Sequence, residues 1–198
     1  LESLVKSRYP SATFIHCYSN SLDLVLSKST NIIMECRRFF TTLSGITNFF
    51  SHSMVRTAAL KKFMEEKLPG VAPTRWNFSS RLVNTVKENR EHLIKFFSTI
   101  EDETDDWTSD EVNIASGFVR FLCKFETRFL ILIFNKIFAF SDVLLDIFQN
   151  KCLEITYCTN QVNKFYQTLQ NDFDDTCIEA TGYAQAEAEE IEPRPENT

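Results

Sequence analysis

The side chains of this sequence that could do chemistry are suited to holding a nucleic acid rather than to cleaving bonds. Arg75 and Trp76 are adjacent, in Pro73-Thr74-Arg75-Trp76-Asn77. An indole can stack on an unstacked base, worth ~1–3 kcal/mol per base, and a neighbouring guanidinium can neutralise a phosphate or stack itself. Arg81, Lys87 and Arg90 follow, and the three-residue step from Lys87 to Arg90 places both on one helical face. Arg37, Arg38, Lys61 and Lys62 could add phosphate contacts. A second reading of Arg75-Trp76 is structural, with the indole anchoring a loop in the core and the arginine paired to a nearby acid.

Catalytic arrangements find little support. His16, His52 and His92 are far apart and share no Cys/His spacing of the kind zinc uses. No Gly-x-Ser-x-Gly elbow and no Gly-rich phosphate loop is present, and the chain has only 4 glycines from which to build one. The acidic residues concentrate between Glu101 and Asp106 and near the C-terminal end, a pattern of solvated segments rather than a metal site.

The composition bounds the class. With 198 residues, 43% hydrophobic and 24% charged, the chain can bury one substantial core. Nineteen phenylalanines against 4 glycines and 5 prolines favour long helices with short connections. The net charge of −6 is unevenly distributed: residues 1–100 carry 14 Lys/Arg and 7 Asp/Glu, residues 101–198 carry 7 and 20. That asymmetry fits either an acidic tail alone or a first half that faces phosphate. The six cysteines form no Cys-x-x-Cys pair, and several fall at apolar helix positions, pointing to free thiols in a reducing, intracellular compartment. The longest apolar run, Phe129 to Phe140, is cut by Asn135 and Lys136 and is too short for a bilayer.

The elements that must position these residues are helical by periodicity. A short strand is expected at Ala12–Ile15 and helix from Ser21, with Leu22, Val25 and Leu26 inward. A long helix is expected over Ile32–Phe50, then one capped by Ser51 or Ser53 with Val55, Ala59, Leu60, Phe63 and Met64 inward. The next runs from about Asn77 to Ile100. Thr108 and Glu111 form a capping box opening a helix through Phe118, Leu122, Phe125, Phe129 and Phe138. Ser141-Asp142 reads as a fresh cap for a final helix, and the pattern fades after about Phe173.

Three tracts carry a family resemblance. His16-Cys17-Tyr18-Ser19-Asn20-Ser21-Leu22-Asp23-Leu24, then Thr74-Arg75-Trp76, then Ser141-Asp142-Val143-Leu144-Leu145-Asp146-Ile147-Phe148-Gln149 resemble, in order, the Cys-x-x-His-x-Leu-Asn-Leu, Thr-Arg-Trp and Leu-Ser-x-x-Leu-Gln tracts of hAT-superfamily transposases. The similarity is to the domesticated kind found in MYM-type zinc-finger proteins and THAP-type relatives, and it spans about residues 8–175. The resemblance implies a mainly α fold: the helical insertion domain of an RNase-H-like transposase, with at most a remnant strand near the N-terminus. It implies a helical domain over 1–178 (partial RNase-H-like remnant 1–30) and a disordered acidic tail over 179–198.

The resemblance also bears on function. Asn20 stands where the family has histidine, and asparagine cannot shuttle protons near neutral pH; Cys17 and Asn20 thus form a degenerate motif. The family's three catalytic acids, which hold two divalent ions, are expected to fall outside this chain. The expectation is therefore a catalytically inactive fragment of a domesticated transposase, not an enzyme by itself, acting by nucleic-acid or protein binding in the nucleus. The alternative is a helical protein-interaction module without DNA binding. DNA would be bound weakly and salt-sensitively, with Arg75, Trp76, Arg81, Lys87 and Arg90 as contacts. No cofactor, metal, membrane partner or small-molecule substrate is expected.

Overall fold

A computed structural model describes residues 2–11, 17–65, 67–70, 76–102, 106–149, 154–171 and 173–189. Among these, nine helices carry the fold and no residue is in strand: α1 (Glu2–Arg8), α2 (Tyr18–Ile32), α3 (Met34–Ser51), α4 (Met54–Leu60), α5 (Trp76–Asp102), α6 (Ser109–Cys123), α7 (Phe125–Gln149), α8 (Ile155–Asn171) and α9 (Phe173–Glu189). The strand expected at 12–15 lies outside the described residues.

Helix α5 packs on α6 and α7, while α8 and α9 pack on α7. Helix α3 buries Cys36, Phe39, Leu43, Ile46, Phe49 and Phe50 at steps of three and four, the spacing of one helical face. These meet Phe96 and Phe97 of α5, Phe118 of α6 and Phe134 of α7 in one continuous aromatic core. In α5 the inward residues Phe78, Leu82 and Val86 precede Leu93, Phe97 and Ile100. Between the two sets Asn89 is non-helical (φ −114°, ψ 17°), and its side-chain amide donates to Thr85 O at 3.1 Å. An amide competing for a helix carbonyl is a recognised cause of local distortion.

The helix count among the described residues exceeds the expected segments, because α1 and α9 form where no helix was expected and Lys124 (φ −66°, ψ 137°) divides one expected helix into α6 and α7; Ile33 (φ −85°, ψ 120°) separates α2 from α3 close to the expected boundary. Lys124 serves both sides of its break: its N–H donates to Phe121 O, and its carbonyl accepts from Arg128 N. Two of the three anticipated start signals are present. Ser53 accepts from Arg56 N, and Thr108 and Glu111 form the full reciprocal capping box.

Other expectations are corrected. Ser141-Asp142 does not start a helix, because α7 runs unbroken to Gln149. Ser141 is wholly buried and its hydroxyl bonds back to Phe138 O, while Asp142 accepts from Ser80 Oγ of α5 at 2.5 Å. Both side chains are thus engaged away from backbone amides, so neither caps. Phe125 is 43% exposed and Phe129 half-buried, because after the break at Lys124 the first turns of α7 bury the face of Thr127, Arg128 and Ile131 instead. Val25 and Val55 are exposed rather than inward. Within the segment 179–198 expected as a tail, α9 continues through Glu189, with Ala180 buried and Glu179 paired to Lys136 of α7 at 2.9 Å, and residues 190–198 lie outside the described residues. Alanine and glutamate are strong helix formers, which offsets the segment's lack of apolar periodicity.

Candidate functional site

The residues singled out by sequence fall into three places. Cys17 is exposed just before α2 and makes no side-chain cap, and Asn20 is exposed in its first turn. Arg75 lies outside the described residues, and Trp76 is the first residue of α5. Arg81 is exposed less than two turns further on, and with Lys67, Asn84 and Glu88 it lines a shallow cavity of about 370 Å³. The returning segment 67–70 thereby brings a second cation close to the start of α5.

Lys87 and Arg90 do share a face, as their spacing predicts, but it is not that of Arg81. Arg81 lines the cavity that holds Lys67, whereas Lys87 and Arg90 line a separate one. Lys87 Nζ donates to Asn135 Oδ1 of α7 at 2.6 Å, and Arg90 Nε donates to the Leu122 carbonyl in the last turn of α6 at 3.1 Å. Asn135 in turn donates to Asn84 Oδ1 at 2.6 Å, so its amide is held at both ends. Arg81, Lys87 and Arg90 therefore do not line one cavity.

The Lys87–Arg90 face opens on a cavity of about 580 Å³ among α5, α7 and α9. Its α7 wall carries Arg128, Asn135 and Lys136, its α9 wall Glu179 and Ala180, and Ile131, Leu132 and Ala139 supply aliphatic surface. Arg128 is only 3% exposed. Sequence reasoning missed Arg128 altogether, and it met Asn135 and Lys136 only as interruptions of an apolar run. The available signal was that Arg128, Asn135 and Lys136 recur at i, i+7, i+8, a polar stripe on an otherwise apolar helix.

A third cluster is structural. Arg56 donates through Nε to Glu111 Oε1 at 2.8 Å and through Nη1 to Phe49 O at 2.9 Å, with Nη2 2.7 Å from the same Glu111 oxygen. Its guanidinium carbon lies 4.4 Å above the Phe49 ring. The Thr108 backbone and hydroxyl bonds, then Arg56, hold the Glu111 carboxyl below its ordinary range. Asp142 moves the other way: burial raises it, the Ser80 bond opposes this, and Asp146 adds repulsion. Cys36 is raised chiefly by burial, and Glu35 adds to it.

Among the described residues, no group of three His, Cys, Asp or Glu side chains is placed to hold a metal ion, and no helix is long and apolar enough to cross a membrane. No protein-family model matches the chain, and no solved structure matches it significantly.

Proposed function

We propose that this chain is the helical insertion region of a hAT-type transposase-derived protein, catalytically inactive by itself, acting in the nucleus by binding nucleic acid. The observation that carries the reading is the start of α5. The Arg75-Trp76 pair stands at or beside the first residue of a 27-residue helix, and Lys67 and Arg81 share one cavity close by. A helix N-terminus favours phosphate through its free amides and dipole, and flanking cations add to this. Lys61 and Lys62 are exposed after α4, and Lys62 lies beside the C-terminal end of α5, near Thr99 and Ile100. Arg37 and Arg38 are exposed on α3.

The test uses labelled duplex and flapped DNA of arbitrary sequence. Trp76→Ala is expected to weaken binding to the flapped substrate more than to plain duplex, because stacking needs an unstacked base, at ~1–3 kcal/mol for one base. Arg75→Ala is expected to weaken both. Equal loss on both substrates for Trp76→Ala would refute the stacking role. Plasmid nicking in Mg²⁺ or Mn²⁺ that survives repeat purification would refute the non-enzymatic part.

The second reading is a helical protein-interaction module. It is favoured by apolar side chains left in solvent at two helix junctions: Ile32 (81% exposed) between α2 and α3, and Met54 (89%) with Val55 (75%) at the start of α4. Absence of DNA binding at low salt would favour it.

A further inference from the structure

We propose that the cavity among α4, the C-terminal end of α5 and the turn before α6 binds an aromatic zwitterion, of the class of a free aromatic α-amino acid. The site does not depend on the nucleic-acid reading, because Trp76 stands at the opposite end of α5.

Three observations lead there. The first is shape. The cavity has a volume of about 620 Å³, within the range of small-molecule sites. The second is an aromatic wall. The buried Phe96 ring meets Phe63 at 5.5 Å and 78°, and Trp107 at 6.4 Å and 88°. Phe63 and Trp107 both line the cavity and are only half-buried, so ring surface remains for a ligand. Aromatic rings favour edge-to-face and offset neighbours, so walls set nearly at right angles suit a flat apolar body. Val55, 75% exposed, adds aliphatic surface.

The third observation is charge. Four charged side chains line the cavity among the described residues. Arg56 and Glu111 bind each other, at 2.8 Å through Nε and 2.7 Å through Nη2. Lys62 and Asp106 remain, both exposed and neither with an ion-pair partner among the described residues. Lys62 follows α4, and Asp106 precedes α6. A ligand with a single net charge meets one like charge here, whereas a zwitterion meets an opposite charge at each end. Ser53 accepts from Arg56 N, which leaves its own hydroxyl hydrogen to donate to a ligand carboxylate. Nucleic-acid phosphate is disfavoured at this end, because α5 finishes in Glu101 and Asp102.

The experiment is titration of the full chain at low ionic strength with phenylalanine, hydrocinnamate and phenethylamine, followed by tryptophan fluorescence. The chain has 2 tryptophans, so the response should persist in Trp76→Phe and vanish in Trp107→Phe. Phenylalanine should bind about three- to fivefold tighter than either analogue, since each lacks one charge contact of the size an exposed pair supplies. Lys62→Met should weaken phenylalanine and hydrocinnamate by about that factor and leave phenethylamine unchanged. Asp106→Asn should weaken phenylalanine and phenethylamine and leave hydrocinnamate unchanged. Both residues are exposed, and a pattern selective among ligands is one that misfolding cannot produce. No binding of phenylalanine at about 10 mM would overturn the site. A response that survives Trp107→Phe would place binding elsewhere and overturn it too. Equal losses for all three ligands in either charge variant would overturn the charge assignment. N-acetyl-phenylalanine amide, which carries neither charge, binding as tightly as phenylalanine would overturn the zwitterion and leave an anchor pocket for a partner protein's aromatic side chain.

Discussion

Removing one ring at the meeting point of α3, α5 and α6 is the most demanding test of the fold. Phe97 is fully buried. Its ring centroid lies 5.1 Å from Phe118, 5.4 Å from Phe96, and 5.7 Å from both Phe49 and Phe50. Phe→Ala at a buried site costs ~3–5 kcal/mol, from lost transfer energy and the cavity left behind. Aromatic pairs contribute ~0.5–1.5 kcal/mol beyond their area, and four neighbouring rings that cannot all collapse inward push Phe97→Ala to the upper part, ~4–5 kcal/mol. That is a large share of the ~5–15 kcal/mol that stabilises a typical domain. Urea unfolding followed by far-UV circular dichroism should show a lower midpoint with an unchanged slope. Thermal melts should fall by roughly 8–20 °C for a chain of this size. Phe129→Ala, at a half-buried position on α7, should cost only ~1–2 kcal/mol. Equal losses at the two positions, or a Phe97→Ala loss below ~1 kcal/mol, would refute the packing described here.

Arg56→Lys should cost ~1–2 kcal/mol in the same assay, because an ammonium cannot reproduce the guanidinium's simultaneous contacts to Glu111 and Phe49; an unchanged midpoint would refute the role of this cluster. Asp142→Asn should raise the melting temperature at pH 7. The carboxyl is raised in the folded state by burial, so the fold binds its proton more tightly than the unfolded chain does. Its stability penalty therefore grows as pH rises above the ordinary aspartate range, and the Asn variant's advantage should shrink toward pH 3; an advantage that grows on acidification would contradict this. Glu111 has the opposite sign. Its carboxyl is lowered in the fold, so its contribution is present above the ordinary glutamate range and is lost as pH falls through the folded value. The Thr108→Ala variant should flatten that acid limb.

The features visible in the sequence were those whose partners are near in the chain. The Ser53 cap and the Thr108–Glu111 box are settled three residues away, and the Lys87–Arg90 face follows from one helical turn. The break at Lys124 was hidden because the position is neither glycine nor proline and it interrupts an apolar stripe that continues on both sides. Ser141-Asp142 misled because the partner that matters, Ser80, lies on another helix. The α9 segment was misread because its docking uses an alanine and an ion pair rather than a stripe of large apolar residues. The candidate site was half legible. Its α5 side followed from spacing, while Arg128 and Lys136 come to it only through the packing of α7 on α5.

The central claim, that the basic half binds nucleic acid around Arg75 and Trp76, is tested most directly by the salt dependence of binding to flapped DNA. Affinity should be weak, independent of sequence, and fall linearly on a log–log plot as salt rises, because each neutralised phosphate releases counterions. Arg75→Ala and Arg81→Ala should each lower that slope by about one. Because α9 runs to Glu189 and packs on α7, any removal of the acidic C-terminal sequence should begin after that residue. Wild-type protein that fails to bind at low salt, with the sequence after Glu189 present or removed, would contradict the account and leave the interaction-module reading in its place.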